Sequence, residues 1–494
     1  MSKFNVNTAG SRKTVNKSGH AAYKMEDKEK LAAMVLTSMF SEAKFYGDNS
    51  DELVELATKV DPLFVAKLAM YARHEMNLRS VSHVLTAVLA KREDGKKYVR
   101  TLINGVVVRP DDMTEIVSCY LSMFGKPIPN SIKKGTADVL NRTDQYGFSK
   151  YSGKGKAVSM QDLLNISHPK PKDAYHEDLF KKVLNGELKV PKSWETELSS
   201  RGNTREVWEE LIEEDRVGYM ALLRNLRNII RVQPRNIDKV YLKLSDRGEV
   251  LKSRQLPFRF YSAYKTLNKE GMLDSKTFGM LEVAIGYSTE NIPMLTGNTL
   301  VAVDVSGSMG YNVSQNSTVT SAEIASLLGA MAGSICENAT VVSFDTSLSN
   351  IAMSPKSGIL QNASGIQFRG GGTDLRLPLE YMFKVVRDNQ ITFDRLIMLS
   401  DNEINSDYCW SGGGYKGKCQ GLSDQYRKYY NSELWVHAVD LAGYGTQQFL
   451  GKNTNILAGW NERIFDFIHI AEEGKGNMVS TVEELYTIFD RIMQ

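Results

Sequence analysis

The sequence predicts a mainly helical protein that ends in a doubly wound α/β domain, and two observations lead to this fold class. Between residues 26 and 290, apolar residues recur at helical spacing in one short segment after another, and strand-like runs are few. From residue 298 onward, apolar strand-like runs alternate with helical segments, a pattern typical of a parallel sheet with helices on both faces. Short helices in series also favour a helical-repeat solenoid for the first part, although no clean repeat motif is present.

The helical part begins with residues 25–45, in which Leu31, Val35 and Met39 repeat at every fourth position. A second helix is predicted at residues 51–60. The Asp61–Pro62 pair that follows fits a helix N-cap with proline at the first helical position. The same apolar periodicity predicts further helices in the segments 62–75, 78–93, 114–124, 177–184, 204–214, 219–230 and 256–267.

The α/β part alternates strands with helices over most of its length. Strands are predicted at NTLVAVDV (298–305), ATVVSFD (339–345), FDRLIMLSD (393–401), ELWVHAVDL (433–441) and IFDFIHI (464–470). Helices are predicted at residues 321–337, 374–389, 422–432 and 482–493. In such sheets, ligands bind outside the carboxyl ends of the strands, at the point where the strand order reverses.

Composition and charge limit the possible classes of protein. The 494 residues are 42% hydrophobic and 24% charged, as in ordinary globular proteins, and no apolar run approaches the length of a membrane span. We expect residues 1–22 to be a flexible basic arm without a secretory signal, residues 23–297 to be the helical part and residues 298–494 to be the α/β domain. The four cysteines show no C-x-x-C spacing, which favours a reducing cytoplasm over a disulfide or zinc scaffold.

The two parts carry charge of opposite sign. From residue 299 to the end there are 14 basic and 21 acidic residues, against 47 basic and 37 acidic residues before it. This asymmetry indicates that the helical part is the one that attracts a polyanion.

Five oxygen-bearing side chains in the α/β part form a candidate site for one divalent cation, Mg²⁺ or Mn²⁺. Alternate residues of D-V-S-G-S, which follows the first strand, point the same way, and Gly307 lets the backbone turn between them. The other two side chains follow a glycine loop, GGGTD, and the strand RLIMLSD. The predicted ligands are Asp304, Ser306, Ser308, Thr373 and Asp401, with waters completing the octahedron.

Other interpretations of the same residues remain. The serines and the threonine could be ordinary caps and turns, and we expect Asp374 to be a charge at a helix start rather than a ligand. A catalytic role is weakly supported, because no general base and no G-x-S-x-G elbow accompany the motif. The glycine-rich, basic and aromatic run at residues 409–421 is either a loop that contacts a partner or RNA, or a flexible insertion.

A basic run in the helical part is interleaved with aromatic residues. Residues 126–172 contain nine basic and three acidic residues, together with Tyr146, Phe148 and Tyr151. Cations follow a phosphate backbone and aromatic faces stack on unpaired bases, so the run fits RNA binding. A solvated charged face over core aromatics is the alternative.

Several segments in order resemble the TROVE family, which comprises the Ro autoantigen and its bacterial relatives. They are YARHEMNLRS (71–80), SIKKGTADVL (131–140), KYSGKGKAVSMQDLLNISHPKP (150–171), MALLRNLRNI (220–229), LPFRFYSAYKT (256–266) and LVAVDVSGSMG (300–310). The last of these also resembles the metal-ion-dependent adhesion site of von Willebrand factor A (vWA) domains. The resemblance implies a ring of HEAT-like repeats closed by a vWA domain.

The resemblance also implies a function. Family members are RNA-binding scaffolds without chemistry of their own. They bind small noncoding Y RNAs on the outer surface of the ring and single-stranded ends of misfolded RNA in its hole. By analogy an exoribonuclease is a partner, and we expect a monomer. Carried onto this chain, the family's RNA contacts are Lys150, Lys154 or Lys156, and His168. The basic run adds Lys133, Lys134, Arg142, Tyr151 and Lys170 as predicted RNA contacts, and Arg224 either lines the hole or serves the fold.

Two rival functions remain from the sequence. One is a metal-dependent protein-adhesion module in which the helical part is only a platform. The other is a metal-dependent nuclease.

Overall fold

A computed structural model describes most of the chain. The described residues are 13–15, 21–36, 48–153, 155–189, 192–255, 257–290, 292–312, 319–354, 357–401, 418–442, 446–458, 463–473 and 478–492. They fall into two compact units. The amino-terminal unit is bounded by Glu26–Lys192 and Met478–Gln494, and the carboxy-terminal unit by Met1–Met25 and Ser193–Asn477. None of the described helices has both the length and the apolar composition that a membrane span needs.

The amino-terminal unit is a stack of short helices, which confirms the predicted helical repeat. Alternate helices pack on one another, α3 on α5, α5 on α7 and α7 on α9, while α4 packs on α6. The helices are α1 (Asp27–Leu36), α2 (Asp48–Lys59), α3 (Pro62–His74), α4 (Ser80–Lys91), α5 (Lys96–Val106), α6 (Pro110–Phe124), α7 (Asn130–Leu140), α8 (Gln145–Lys150), α9 (Met160–Ser167) and α10 (Ala174–Leu184).

The start of α3 follows the sequence signal. The Asp61 carboxylate accepts a hydrogen bond from the Leu63 backbone N–H at 3.4 Å, and Pro62 occupies the first turn, where its missing N–H costs nothing. The predicted cap is therefore confirmed. The first helix is described to Leu36, so the predicted contribution of Met39 lies outside the described residues.

The last residues of the chain pack on the first helices of this unit. A single helix over residues 482–493 was the wrong prediction: the segment is a short α-helix, α23 (Met478–Glu484), and a 3₁₀ helix (Thr487–Ile492). Lys67, 3% exposed, donates to the Asp490 carboxylate at 3.0 Å, and the buried Phe489 ring meets Tyr98 edge-on. These contacts with distant helices, which the local pattern does not encode, set the break between the two helices.

In the described part of the carboxy-terminal unit, seven further helices precede the sheet. They pack in the same manner, with α13 against α14 and α16, and α17 against α14, α15 and α16. Their bounds are α11 (Trp194–Arg201), α12 (Arg205–Glu213), α13 (Tyr219–Val232), α14 (Ile237–Ser245), α15 (Arg247–Ser253), α16 (Pro257–Lys269) and α17 (Ser275–Ser288).

A six-stranded sheet with the order β5-β4-β3-β6-β7-β9 forms the core of the α/β part. All neighbours are parallel except the edge strand β5, which is antiparallel to β4. The strands are β3 (Leu295–Asp304), β4 (Cys336–Phe344), β5 (Leu348–Ile351), β6 (Arg395–Ser400), β7 (Trp435–Asp440) and β9 (Thr454–Ala458). The helices are α18 (Ser321–Ile335), α19 (Ile359–Ser364), α20 (Arg376–Asn389), α21 (Lys418–Tyr429) and α22 (Arg463–Glu472). The predicted doubly wound fold is confirmed.

One predicted strand is wrong. IFDFIHI forms helix α22, and the last strand of the sheet is instead β9, in the segment TNILA, which the sequence analysis missed. Ile464, Phe465 and Ile468 are buried at helical spacing. A short run of β-branched and aromatic residues fits a strand or one face of a helix equally well, so its periodicity did not decide between them.

Part of the predicted flexible arm is strand. β1 (Lys13–Val15) pairs antiparallel with β2 (Ala21–Lys24), and β2 pairs with β8 (Thr446–Gln447) of the same unit. The arm prediction is therefore wrong for these residues, because their backbone hydrogen bonds are satisfied in a small sheet. Residues 1–12 and 16–20 lie outside the described residues.

A buried ionic cluster connects β6 and β7, near their amino ends, to helix α22. Arg395, 5% exposed, makes two 2.7 Å hydrogen bonds to the Glu472 carboxylate of α22, and His437 contacts the same carboxylate at 2.9 Å. Burial alone would raise the pKa of Glu472, but the hydrogen bonds from Arg395 and His437 outweigh it and lower the pKa from 4.5 to about 2. The carboxylate is therefore more stable in the folded protein than in the unfolded chain.

The Glu472→Gln substitution should destabilise the carboxy-terminal unit by roughly 3 kcal/mol near neutral pH, because it leaves the Arg395 charge buried without its partner. Since the folded pKa is lowered, the stabilisation is complete above pH 4.5 and is lost as the pH falls towards 2. Urea unfolding of both proteins across that range measures the difference. A difference in unfolding free energy that does not shrink below pH 4.5 would contradict this assignment.

Glu282 connects the helical repeats to the α/β part inside the carboxy-terminal unit. Its carboxylate, on α17, accepts the backbone N–H groups of Leu360 (3.1 Å) and Gln361 (2.7 Å) at the start of α19. Gly358 precedes this helix, and a Cβ added there would lie 2.2 Å from a Glu282 carboxylate oxygen. The close approach of the carboxylate to the helix therefore requires glycine at this position.

The Gly358→Ala substitution should cost about 1–2 kcal/mol, because the added methyl group displaces the carboxylate that caps α19. In a Glu282→Ala background the clash is absent, so the same substitution should cost much less. Urea unfolding of the four proteins of this double-mutant cycle gives the coupling energy. Equal costs of Gly358→Ala in both backgrounds would show that the two residues do not interact.

Candidate metal centre and basic surfaces

The predicted metal ligands gather at the carboxyl edge of the sheet. Asp304 ends β3, and Asp401 directly follows β6, the strand beside it. The chain leaves β3 for β4 on one side of the sheet and later returns to β6 on the other, so the crevice between β3 and β6 is the switch point. Asp304 and Ser306 are fully buried, Asp401 and Thr373 are nearly so, and Ser308 is half-buried.

Hydrogen bonds fix the Asp304 carboxylate. One oxygen accepts the Ser306 backbone N–H at 2.9 Å, and the other accepts the Ser400 hydroxyl at 2.5 Å. The hydroxyl oxygens of Ser306 and Ser308 lie 3.3 Å apart. The D-V-S-G-S segment therefore brings one carboxylate and two hydroxyl groups together, as its alternation predicted.

The glycine loop that carries Thr373 is hydrogen-bonded to this segment. The Gly307 N–H donates to the Gly371 carbonyl at 2.8 Å, and the Gly370 N–H donates to the Val305 carbonyl at 3.0 Å. Gly370 has a φ of 79°, and a Cβ on Gly371 would lie 2.6 Å from an Asp345 carboxylate oxygen. Glycine is therefore favoured at Gly370 by its backbone conformation and at Gly371 by the close approach of Asp345.

The electrostatics of the crevice favour a cation. Burial and the charge of Asp401 both raise the pKa of Asp304, and among the described residues no Lys or Arg pairs with Asp304. The neighbouring Asp345 is instead paired with Arg369 (3.1 Å), and Asp374 with Arg376 (2.6 Å). Two buried carboxylates with three hydroxyl groups form a hard-oxygen donor set that fits Mg²⁺ or Mn²⁺.

The contacts of the Asp374 carboxylate place it at the start of a helix rather than among the predicted metal ligands. Its carboxylate accepts the Arg376 backbone N–H at 3.0 Å at the first turn of α20, in keeping with the predicted role at a helix start. Within the described parts of the chain, no three His, Cys, Asp or Glu side chains form a metal cluster.

A further buried carboxylate at this edge, that of Asp440, is absent from the predicted ligand set. Asp440 ends β7, lies in register with Ser400, and accepts the Ala442 N–H at 2.8 Å. Its signal was present in the sequence, because ELWVHAVDL places an aspartate after an apolar strand just as RLIMLSD does.

The glycine-rich run at residues 409–421 is described only in part. Residues 409–417 lie outside the described residues, and the remainder begins helix α21, in which Cys419 is buried.

The basic run of the amino-terminal unit spans several elements. Lys133 and Lys134 lie on α7, Lys150 ends α8 and Tyr151 follows it. Lys156 is exposed in the next loop, while His168 caps the end of α9 with a left-handed φ of 43° and is exposed. Lys170 is exposed two residues further on, and Lys154 lies outside the described residues.

Hydrogen bonds made by the side chains of Asn141 and Tyr175 connect these elements. Asn141, at the end of α7, donates to the Lys170 carbonyl at 2.9 Å and accepts the Lys172 N–H at 2.9 Å, which fixes the S-H-P-K-P loop beside α7. The Tyr175 hydroxyl of α10 accepts the Gln145 N–H of α8 at 3.1 Å. The loop with His168 and the helix with Lys150 therefore belong to one connected surface.

Aromatic rings and cations stack within that surface. The Arg109 guanidinium lies 4.9 Å from the centre of the Tyr151 ring, and the Lys150 ammonium lies 5.6 Å from the Tyr146 ring. Tyr146 and Tyr175 are each 50% exposed. We name Arg109, Tyr146, Lys150 and Tyr151 the aromatic–cation cluster. Sequence reasoning missed Arg109, because it lies outside the basic run and joins the cluster only through the fold.

Some predicted RNA contacts have structural partners. Arg142 donates to the backbone carbonyls of Asn104 (3.0 Å) and Val107 (2.9 Å) and so secures the end of α5. Lys156 pairs with Glu115 at 3.2 Å. In YARHEMNLRS, Arg73 and Arg79 both contact the buried Asp112 carboxylate, so this segment secures the helix core. Arg224 is exposed on α13, in the other unit.

The two halves of the architecture define a class of protein: a helical-repeat array joined to a vWA-type α/β domain with a D-x-S-x-S segment at its switch point. Residues 22–186 and 154–282 match the TROVE domain, and residues 298–410 match the Ro60 vWA domain. The chain belongs to the TROVE family, as its resemblance predicted.

The chain is also similar to two curated proteins and to one solved structure. The chain is 24% identical to telomerase protein component 1 of Rattus norvegicus over 51% of its own length and to that of Mus musculus over 46%. It spans only 13% and 12% of those proteins. The Deinococcus radiodurans RO (RSR) protein has the same fold, with a TM-score of 0.62 over 90% of this chain and 100% of that one, at 17% identity.

Proposed function

We propose that this protein is an RNA-binding ribonucleoprotein scaffold. The observation that carries the proposal is the connected surface of the amino-terminal unit, on which Lys150, Tyr151, His168 and Lys170 lie together with the aromatic–cation cluster. Cations on this surface neutralise phosphates, and its exposed rings offer stacking faces for unpaired bases. The α/β part carries net negative charge, so it is the less favourable partner for RNA.

The finer proposal follows the TROVE family. The bound RNA is a small structured noncoding RNA of the Y type on the outer surface of the helical repeats, and single-stranded ends of misfolded RNA enter a central opening. The protein sorts or presents these RNAs without cutting them, and an exoribonuclease acts beside it. Lys133, Lys134 and Lys170 add phosphate contacts at the edge of the surface, while Arg142 supports it through α5.

The double substitution Lys150→Ala and Lys170→Ala should weaken binding of a fluorescently labelled hairpin RNA with a single-stranded 3′ tail by about tenfold or more, and should lower the salt slope by about two. Fluorescence anisotropy at several salt concentrations measures both quantities. The matched control is Lys181→Ala with Lys182→Ala, which removes two charges from α10 that already pair with Glu177 and Asp178. The proposal fails if the two double variants bind the hairpin equally well.

We further propose that the crevice at the sheet switch point binds Mg²⁺, with Mn²⁺ as the alternative ion. Asp304, Ser306, Ser308, Thr373 and Asp401 would hold it. A bound ion would supply positive charge to the two buried carboxylates and a coordination position for a carboxylate of a partner protein. Two features support the proposal: the buried donor set and the loops that hydrogen bonds hold in place around it.

The Ser308→Ala substitution should reduce Mg²⁺ affinity at least about tenfold, because it removes one hard oxygen ligand from the site. Isothermal titration of the full-length protein with MgCl₂ measures the affinity, and Mg²⁺-dependent thermal stabilisation gives an independent measure. The control is Ser364→Ala, whose hydroxyl only bonds the Gln361 carbonyl at the end of α19. Wild-type protein that neither binds nor is stabilised by Mg²⁺ would refute the metal site.

A further inference from the structure

A cleft between α13 and α16 in the carboxy-terminal unit has a volume of about 300 Å³. Three arginines face it: Arg224 and Arg227 on α13 and Arg259 on α16. Met220 and Leu223 supply an apolar side. The volume is at the lower limit of small-molecule sites, which suits one nucleotide and excludes a duplex.

The charges in this cleft are unevenly compensated. Arg227 pairs with Glu270 at 3.0 Å, and Arg231, on the same helix, pairs with the same carboxylate at 2.8 Å. Within the described part of the chain, Arg224 and Arg259 form no ion pair with a carboxylate. Other arginines of this unit do form such pairs, including Arg201 with Glu210 and Arg247 with Glu290.

The two uncompensated guanidinium groups also affect each other. Partial desolvation of Arg259, whose side chain is still exposed to solvent, and the nearby charge of Arg224 lower the pKa of Arg259, so the two cations repel each other. A bound anion relieves this repulsion, and a planar guanidinium matches phosphate oxygens with two parallel hydrogen bonds. A dianion gains more from two guanidinium groups than a monoanion does.

We propose that this cleft binds the terminal phosphate of a single-stranded RNA, with Arg224 and Arg259 holding the phosphomonoester and Met220 with Leu223 packing against the last nucleoside. The inference rests on the proposed RNA binding and specifies the chemical group recognised in this unit. A phosphomonoester carries nearly two negative charges near neutral pH, whereas an internal phosphodiester carries one. The cleft therefore distinguishes a phosphorylated strand end from the interior of a strand.

The test uses the full-length protein and three labelled forms of one unstructured oligoribonucleotide: with a 5′ phosphate, with a 3′ phosphate, and with neither. Wild-type protein should bind one phosphorylated form about tenfold more tightly than the unphosphorylated one, the scale expected for one charge-assisted contact. A nucleoside monophosphate should compete for this preference, and the unphosphorylated nucleoside should not. Equal binding of all three oligonucleotides would overturn the proposal.

Variants assign the preference to the cleft. Arg224→Gln with Arg259→Gln should abolish the preference for the phosphorylated end, while Arg231→Gln, a matched control on the same helix that leaves Glu270 paired with Arg227, should keep it. Thermal unfolding checks that each variant is folded. The single variant Arg259→Lys, which keeps a cation at this position, should retain part of the preference for the phosphorylated end that the double variant loses. A preference that persists in the double variant would overturn the assignment.

The hairpin RNA separates this inference from the proposed function. If the arginine double variant loses the end preference but binds the hairpin as wild type does, both proposals stand. If wild-type protein binds no hairpin yet binds the nucleoside monophosphate through Arg224 and Arg259, the scaffold function fails and the phosphate site stands. If the hairpin binds and the end preference is absent, the phosphate site fails alone.

Discussion

Parallel pairing of β3 with β6 is the constraint on which the α/β part depends. Its register places Val303 beside Leu399, so Asp304 and Asp401 leave neighbouring strands at the same edge. Both carboxylates are buried, and burial together with the charge of Asp401 raises the pKa of Asp304. The Ser400 hydroxyl and the Ser306 N–H stabilise one of them, and the glycine loop closes over the site. At the opposite edge, the buried Arg395 pairs with Glu472, so the charges at that end of β6 balance within the structure.

In the amino-terminal unit, some basic side chains have structural partners and others remain at the surface. Arg73, Arg79 and Arg142 are held in the core or at helix ends, where they secure the stack of helices. The cations that remain for a polyanion are those at loop ends and beside exposed rings. Asn141 is central to that arrangement, because its side chain holds the loop after α9 against α7. Basic residues therefore serve two purposes in one chain, and only their contacts distinguish a structural arginine from a binding one.

Much of the architecture could be predicted because its signals are local. The apolar strand runs, the Asp61–Pro62 cap and the D-V-S-G-S alternation each act over a few residues, and the structure agrees with them. The failures occurred where a local signal is ambiguous. The segment 464–470 has the composition of a strand but the spacing of a helix face, and the sheet took its last strand from Thr454–Ala458. Arg142 carries the same charge as Lys150 in the sequence, yet its guanidinium is committed to two backbone carbonyls.

By itself the sequence determined the two-part fold class, the family, the identities of the candidate metal-site residues and the unequal charge of the two parts. Those properties depend on residue type and short spacing. The tertiary structure alone decided that Arg109 joins the aromatic–cation cluster and that Arg224 and Arg259 face one cleft. It also brought the last helix, α23, onto the first ones. Each of these depends on contacts between residues far apart in the chain, which no local periodicity records.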